Sequence, residues 1–161
     1  MLHDNVSTTW TYMVPLIVVS VCFLAGLATV DDKTPHEVRT RYRWPVVTLL
    51  FVASMAHVPV IAPHLEEAPY MGVLFIAFSC TSFTLASLLA WKPAPWCYPA
   101  AGILCAAAIV AYAATRLVAF PLLADDVGAW WEPLGIVAVL AEAGVVAIVS
   151  AAGLPGRRTP R

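Results

Sequence analysis

Few side chains in this sequence are suited to chemistry. His57 and His64 stand seven residues apart, with Met55 and Met71 in the same region. Seven residues are nearly two helical turns, so the two imidazoles share a face wherever one helix runs through both. Imidazole and thioether together suit copper, the thioether favouring the cuprous ion. That set is the candidate metal site, although no M-x-x-M or H-x-x-x-H spacing accompanies it. The plainer reading is packing and hydrogen bonding. A b-type haem needs an axial ligand on each face of the ring. His57 is the only histidine inside an apolar stretch, so a bis-histidine site would need a second chain. The cysteines are Cys22, Cys80, Cys97 and Cys105, with no C-x-x-C among them, and they read as small apolar fillers.

Arg116 and Glu142 are charged residues that fall well within apolar stretches. Arg116 lies about one turn from an end, and Asp125 and Asp126 follow it closely enough for the chain to return one of them to it. A structural clamp is the plain expectation; an anion, lipid-headgroup or substrate contact is the functional one. Glu142 sits near the middle of its stretch, where a carboxyl must be paired or protonated. Its expected partners are Arg116 or the hydroxyls of Ser79, Thr81, Ser82 and Thr84, placed at the same depth. A proton-carrying or cation-binding carboxyl is the alternative to interhelical glue. Glu67, beside Glu66, belongs to the polar side chains expected around the same end. No G-x-S-x-G, H-E-x-x-H or phosphate-cradling G-x-x-x-x-G-K occurs, and no cofactor is assigned.

The elements that must position these residues are apolar and long. Five stretches stand out, roughly 13–30, 45–61, 70–91, 98–121 and 131–154. About 20 residues of helix cross the roughly 30 Å hydrocarbon layer. Only 12% of the residues are charged, against about 25% in soluble domains, so a soluble fold is disfavoured. Backbone groups in lipid must be satisfied within the segment, and no alternation fit for a barrel appears. The fold class expected is therefore all-α, a single polytopic transmembrane bundle of five spans covering residues 1–161.

Charge sets the expected orientation. Lys33, Arg39, Arg41 and Arg43 fill the first gap, Lys92 the third, and Arg157, Arg158 and Arg161 follow the last span. The alternate gaps carry no Lys or Arg, which places the amino end outside and the carboxyl end in the cytoplasm. Trp10, Trp44, Trp91, Trp96, Trp130 and Trp131 all fall at the expected membrane–water boundaries. Pro45 and Pro133 suit first turns, whereas Pro59 and Pro63 are expected to kink or stop the second span. Gly102 with Ala106, and the series Ala143, Ala147 and Ala151, mark expected contact faces. The amino end lacks a basic n-region and is not expected to be a cleaved signal.

Two passages carry a resemblance. One is His64-Leu65-Glu66-Glu67-Ala68-Pro69-Tyr70-Met71-Gly72-Val73-Leu74-Phe75. The other is Thr115-Arg116-Leu117-Val118-Ala119-Phe120-Pro121, followed by Asp125-Asp126-Val127-Gly128. Together they are similar to small multi-spanning membrane proteins of high-GC actinobacteria. Those carry an H-L-x-E-A-P-Y loop and an R-x-x-G-L-P segment; here Ala119 and Phe120 replace the Gly and Leu. The resemblance brings no activity. It implies that the outward ends of spans 2 to 5, with His64, Glu67, Arg116 and Asp126, are the characteristic part.

The expected function is a non-enzymatic accessory or scaffolding subunit in the cytoplasmic membrane of a bacterium. Its partners would be the bilayer and other membrane subunits or further copies of itself. Nucleic acid is excluded by a net charge of −1 and dispersed basic residues. The alternatives are a transporter or copper-handling protein with an outward His/Met/Arg site, and a membrane redox or lipid-modifying enzyme.

Overall fold

The structure is a computed structural model and describes residues 36–153. Four long helices account for nearly all of it: α1 (His36–Glu67), α2 (Pro69–Trp91), α3 (Cys97–Leu117) and α4 (Pro133–Gly153). A single 3-10 turn, Ala124–Asp126, lies between α3 and α4. No strand occurs among the described residues, and all four helices are long and apolar enough to cross a membrane. The first expected span, 13–30, lies outside the described residues, as do Trp10, Cys22, Lys33 and the arginines at 157, 158 and 161.

Three of the four helices keep close to the expected bounds, because the turn chemistry at their ends is explicit. Pro69 opens α2 and Pro133 opens α4, where a missing N–H costs little. The second span departs. Pro59 and Pro63 are expected to kink or stop it; they do not stop it, since α1 runs on through both to Glu67. Apolar surroundings make a broken backbone more costly than a missing bond or two, so proline is tolerated within such helices. The apolar part of α1, Arg41–Glu67, is 27 residues, or about 40 Å at 1.5 Å per residue. That exceeds the roughly 30 Å hydrocarbon layer, so α1 must tilt or project from it.

The helices pack antiparallel in the spatial order α2, α1, α4, α3, with α2 and α3 touching only lightly. Ser54, Ser79 and Ser82 set the α1–α2 register. Ser54 Oγ donates to the Ser79 carbonyl at 3.0 Å, and Ser82 Oγ to the Leu50 carbonyl at 3.0 Å. At the start of α1, Arg43 Nε donates to the Leu89 carbonyl at 2.8 Å, and a second guanidinium nitrogen donates to the Ala90 carbonyl. These are among the last carbonyls of α2, which no helical N–H can reach. The core between the helices is built on Val46, Leu50, Leu85, Leu89, Cys97, Cys105 and Val145.

The α4 contact face differs from the expected one. Ala143, Ala147 and Ala151 are exposed, while Ala138, Ala141, Glu142, Val145 and Ala152 turn inward. Alanine recurs on every side of this helix, so its spacing did not select a face; the position of Glu142 did. Gly102 does mark a contact, since a Cβ there would meet Val149 at 3.1 Å.

Candidate functional site

The bundle has two polar groupings, one at an end and one in the interior. At the end, Arg116 terminates α3 and is buried. Its Nη1 lies 3.0 Å from Asp126 Oδ2, and its Nη2 lies 2.9 Å from Glu132 Oε2. The guanidinium also sits 4.7 Å over the Tyr112 ring. Tyr112 in turn donates its hydroxyl to the Trp130 carbonyl at 3.1 Å. Gly128, with φ +82°, turns its N–H back to the Arg116 carbonyl at 3.0 Å. One cation thus gathers the whole connection between α3 and α4. Tyr70 ties the same connection to α2 by donating to the Pro121 carbonyl at 2.7 Å.

Of the two aspartates expected near Arg116, Asp126 makes the pair and Asp125 stays exposed. Glu132 was not foreseen. Its signal was present, since an acidic residue just before an antiparallel neighbour lies level with the end of the preceding helix. Glu67 is exposed at the α1–α2 junction and is not part of this grouping.

The interior grouping joins α1 and α4. Glu142 is 1% exposed, and His57 Nε2 lies 3.9 Å from its Oε1. Among the described residues that oxygen has no hydrogen-bond partner. His57 Nδ1 is 2.8 Å from the carbonyl of Ala53, one turn back. The imidazole is flanked by the rings of Phe78 at 4.5 Å and Phe75 at 5.2 Å, both from α2.

Glu142 therefore does not meet the partners expected for it. Arg116 is engaged at the end of the bundle, and Ser79 and Ser82 face the α1 carbonyls. Thr81 and Thr84 donate to their own helix at Ala77 and Cys80. The reason is the order of packing: α4 lies against α1, not α2. Helical periodicity in a sequence does not encode that order.

His57 also stands farther from its helix end than the expected bounds of the second span imply. It stands ten residues before the end of α1, about 15 Å of helix. His64 shares its face because α1 continues through the prolines, and Phe75 touches both rings, His64 at 4.9 Å. His64 Nδ1 is held by the Val60 carbonyl at 2.8 Å. The methionines lie apart from this pair. Met55, two residues from His57, is on the opposite side of the helix and exposed. Met71 packs with Ala68 and Leu123 near the α1–α2 junction. Among the described residues, no three His, Cys, Asp or Glu side chains converge as a metal set would require. Cys97 and Cys105 are buried in the core, and Cys80 is exposed.

Comparison with protein families, with curated proteins and with solved structures gives no match to this chain.

Proposed function

We propose that this chain is a small, non-enzymatic subunit of a larger assembly in a bacterial cytoplasmic membrane, with its amino end outside. The observation that carries the reading is how the polar side chains of the helices are spent. Ser54, Ser79, Ser82, Thr81, Thr84, Ser87 and Thr115 bond to backbone within the bundle, and Arg116 closes on two carboxylates. Ser54, Ser79 and Ser82 fasten α1 to α2 and Arg116 fastens the connection between α3 and α4, while Thr81, Thr84, Ser87 and Thr115 bond back to their own helices, so these groups are taken up within the bundle rather than lining a route through it. The connections are short, leaving little room for a soluble catalytic site. Outside, the helices present large apolar side chains on all sides, among them Phe83, Ile103, Val110 and Leu140.

The distribution of charge supports the orientation. Arg41, Arg43 and Lys92 gather at one end of the bundle, with Trp44, Trp91 and Trp96. Glu66, Glu67, Asp125, Asp126 and Glu132 gather at the other, with Trp130 and Trp131. The positive end belongs in the cytoplasm.

A photoreactive amino acid placed at Val110 or Leu140 in the full chain, in its own membrane, tests the subunit reading. The expected result is a discrete protein adduct at one position and its survival as a stoichiometric complex in mild detergent. Adducts to lipid alone, with a chain that migrates as a monomer, would overturn it.

A further inference from the structure

We propose that Glu142 and His57 form an intramembrane proton-exchange site, which holds one labile proton between α1 and α4. The chemistry of the His57 ring leads to this. The Ala53 carbonyl can only accept, so the 2.8 Å contact places a proton on Nδ1. A neutral imidazole then presents the bare lone pair of Nε2 to Glu142. Facing it at 3.9 Å is Oε1, a buried oxygen with no donor of its own. Two acceptors aimed at each other across a buried interface repel. At 3.9 Å the two atoms are about 1 Å too far apart for a hydrogen bond, and one further proton turns the repulsion into an attraction that draws them into one.

The balance is simple. With the proton on Glu142, its O–H donates to Nε2 and both groups are neutral. With the proton on Nε2, an imidazolium donates to a carboxylate. The pair is uncharged in either form, and the proton passes between the same two atoms without another reactant. When the proton leaves to solvent, a single negative charge remains in apolar surroundings, the arrangement a low dielectric tolerates least. Proton occupancy is therefore coupled to how closely α1 and α4 pack.

The surroundings leave this pair as the natural seat of the proton. From α3, the Cys105 thiol is the titratable group within electrostatic reach of Glu142. From α4, Glu132 acts on His57 from the end of the bundle. From α2, Phe75 and Phe78 bring rings but no titratable group. His57 is the less enclosed partner, its side chain 13% exposed against 2% for Glu142. Along the same face, Phe75 separates it from His64. The site depends on the α1–α4 contact alone, so it stands whether or not a protein partner is found.

Infrared difference spectra of the full chain in lipid nanodiscs, recorded through a pH titration, test this. The wild type should show a protonated-carboxyl C=O stretch that is lost in Glu142→Gln. Its titration midpoint should shift by about one pH unit or more in His57→Asn. No Glu142-dependent band at any pH, or a midpoint unmoved by His57→Asn, would overturn the proposal. Carbodiimide labelling of the wild type in membranes needs no variant to fold. Mass spectrometry should place the adduct on Glu142, and an unlabelled Glu142 counts against the site.

Discussion

Arg116 is held by two carboxylates that are themselves partly open to solvent, 30% for Asp126 and 40% for Glu132. Solvent screening reduces what each pair contributes, while removing the cation leaves two like charges beside a vacated pocket. Arg116→Ala should cost about 1–2 kcal/mol, and Asp126→Asn or Glu132→Gln less than 1 kcal/mol each. Thermal unfolding in detergent, followed by tryptophan fluorescence, measures this directly because Trp130 and Trp131 adjoin the clamp. Ser82 poses a smaller question at the same scale. Its buried hydroxyl bonds across helices to Leu50, and such bonds average about 0.6 kcal/mol in membrane bundles. Ser82→Ala should lower stability by about that amount, and by less than Arg116→Ala. The presence of Arg116, Glu142 and His57 as polar residues in apolar stretches was legible in the sequence. Their partners were not, except for Asp126. A pairing within one connection follows from chain proximity, whereas the His57–Glu142 pairing joins residues on helices far apart in the chain.

The glycines report how tightly neighbouring helices approach. A Cβ on Gly72 would lie 2.8 Å from the backbone nitrogen of Leu65, which cannot rotate away. On Gly102 it would meet the Val149 side chain at 3.1 Å, where a small shift relieves the contact. Gly72→Ala should therefore destabilise by about 1–3 kcal/mol, and Gly102→Ala by clearly less, in the same unfolding assay. The contrast separates a contact on backbone, at the α1–α2 junction, from one on a side chain, where Gly102 meets Val149. The extents of α2, α3 and α4 were readable, since apolar length, Pro69, Pro133 and the boundary tryptophans mark them. The extent of α1 was not. Pro59 and Pro63 are local breakers, yet the helix runs whole past them, with His57 and His64 on either side of them both against Phe75 of α2.

At the scale of the molecule, the two ends of the bundle differ in sign. Single cysteines introduced into a cysteine-free background test the orientation that this implies. Glu66→Cys and Val127→Cys should react with an impermeant maleimide in intact cells, and Ala94→Cys only after permeabilisation. Labelling of residues 66 and 94 from the same side would contradict the antiparallel arrangement of α1 and α2 across a bilayer. The membrane class was legible from composition alone, because four stretches of this length and apolarity cannot be hidden in a chain of 161 residues. The order of helices was not, because small and apolar residues occupy every face.

One residue, Ala68, separates α1 from α2. The hydroxyls of Ser54 on α1 and of Ser79 and Ser82 on α2 find their acceptors on the other helix, and Arg43 reaches the carbonyls at the far end of the pair. Either helix released alone into lipid would carry unsatisfied donors that its mate removes. Biosynthesis should therefore deliver residues 41–92 to the bilayer as a single hairpin, with the second half leaving the ribosome before the first is stably lodged. In a chain begun at residue 36, so that the first expected span is absent, a nascent chain arrested after residue 68 should remain extractable by alkaline carbonate, and one arrested well beyond residue 92 should resist it.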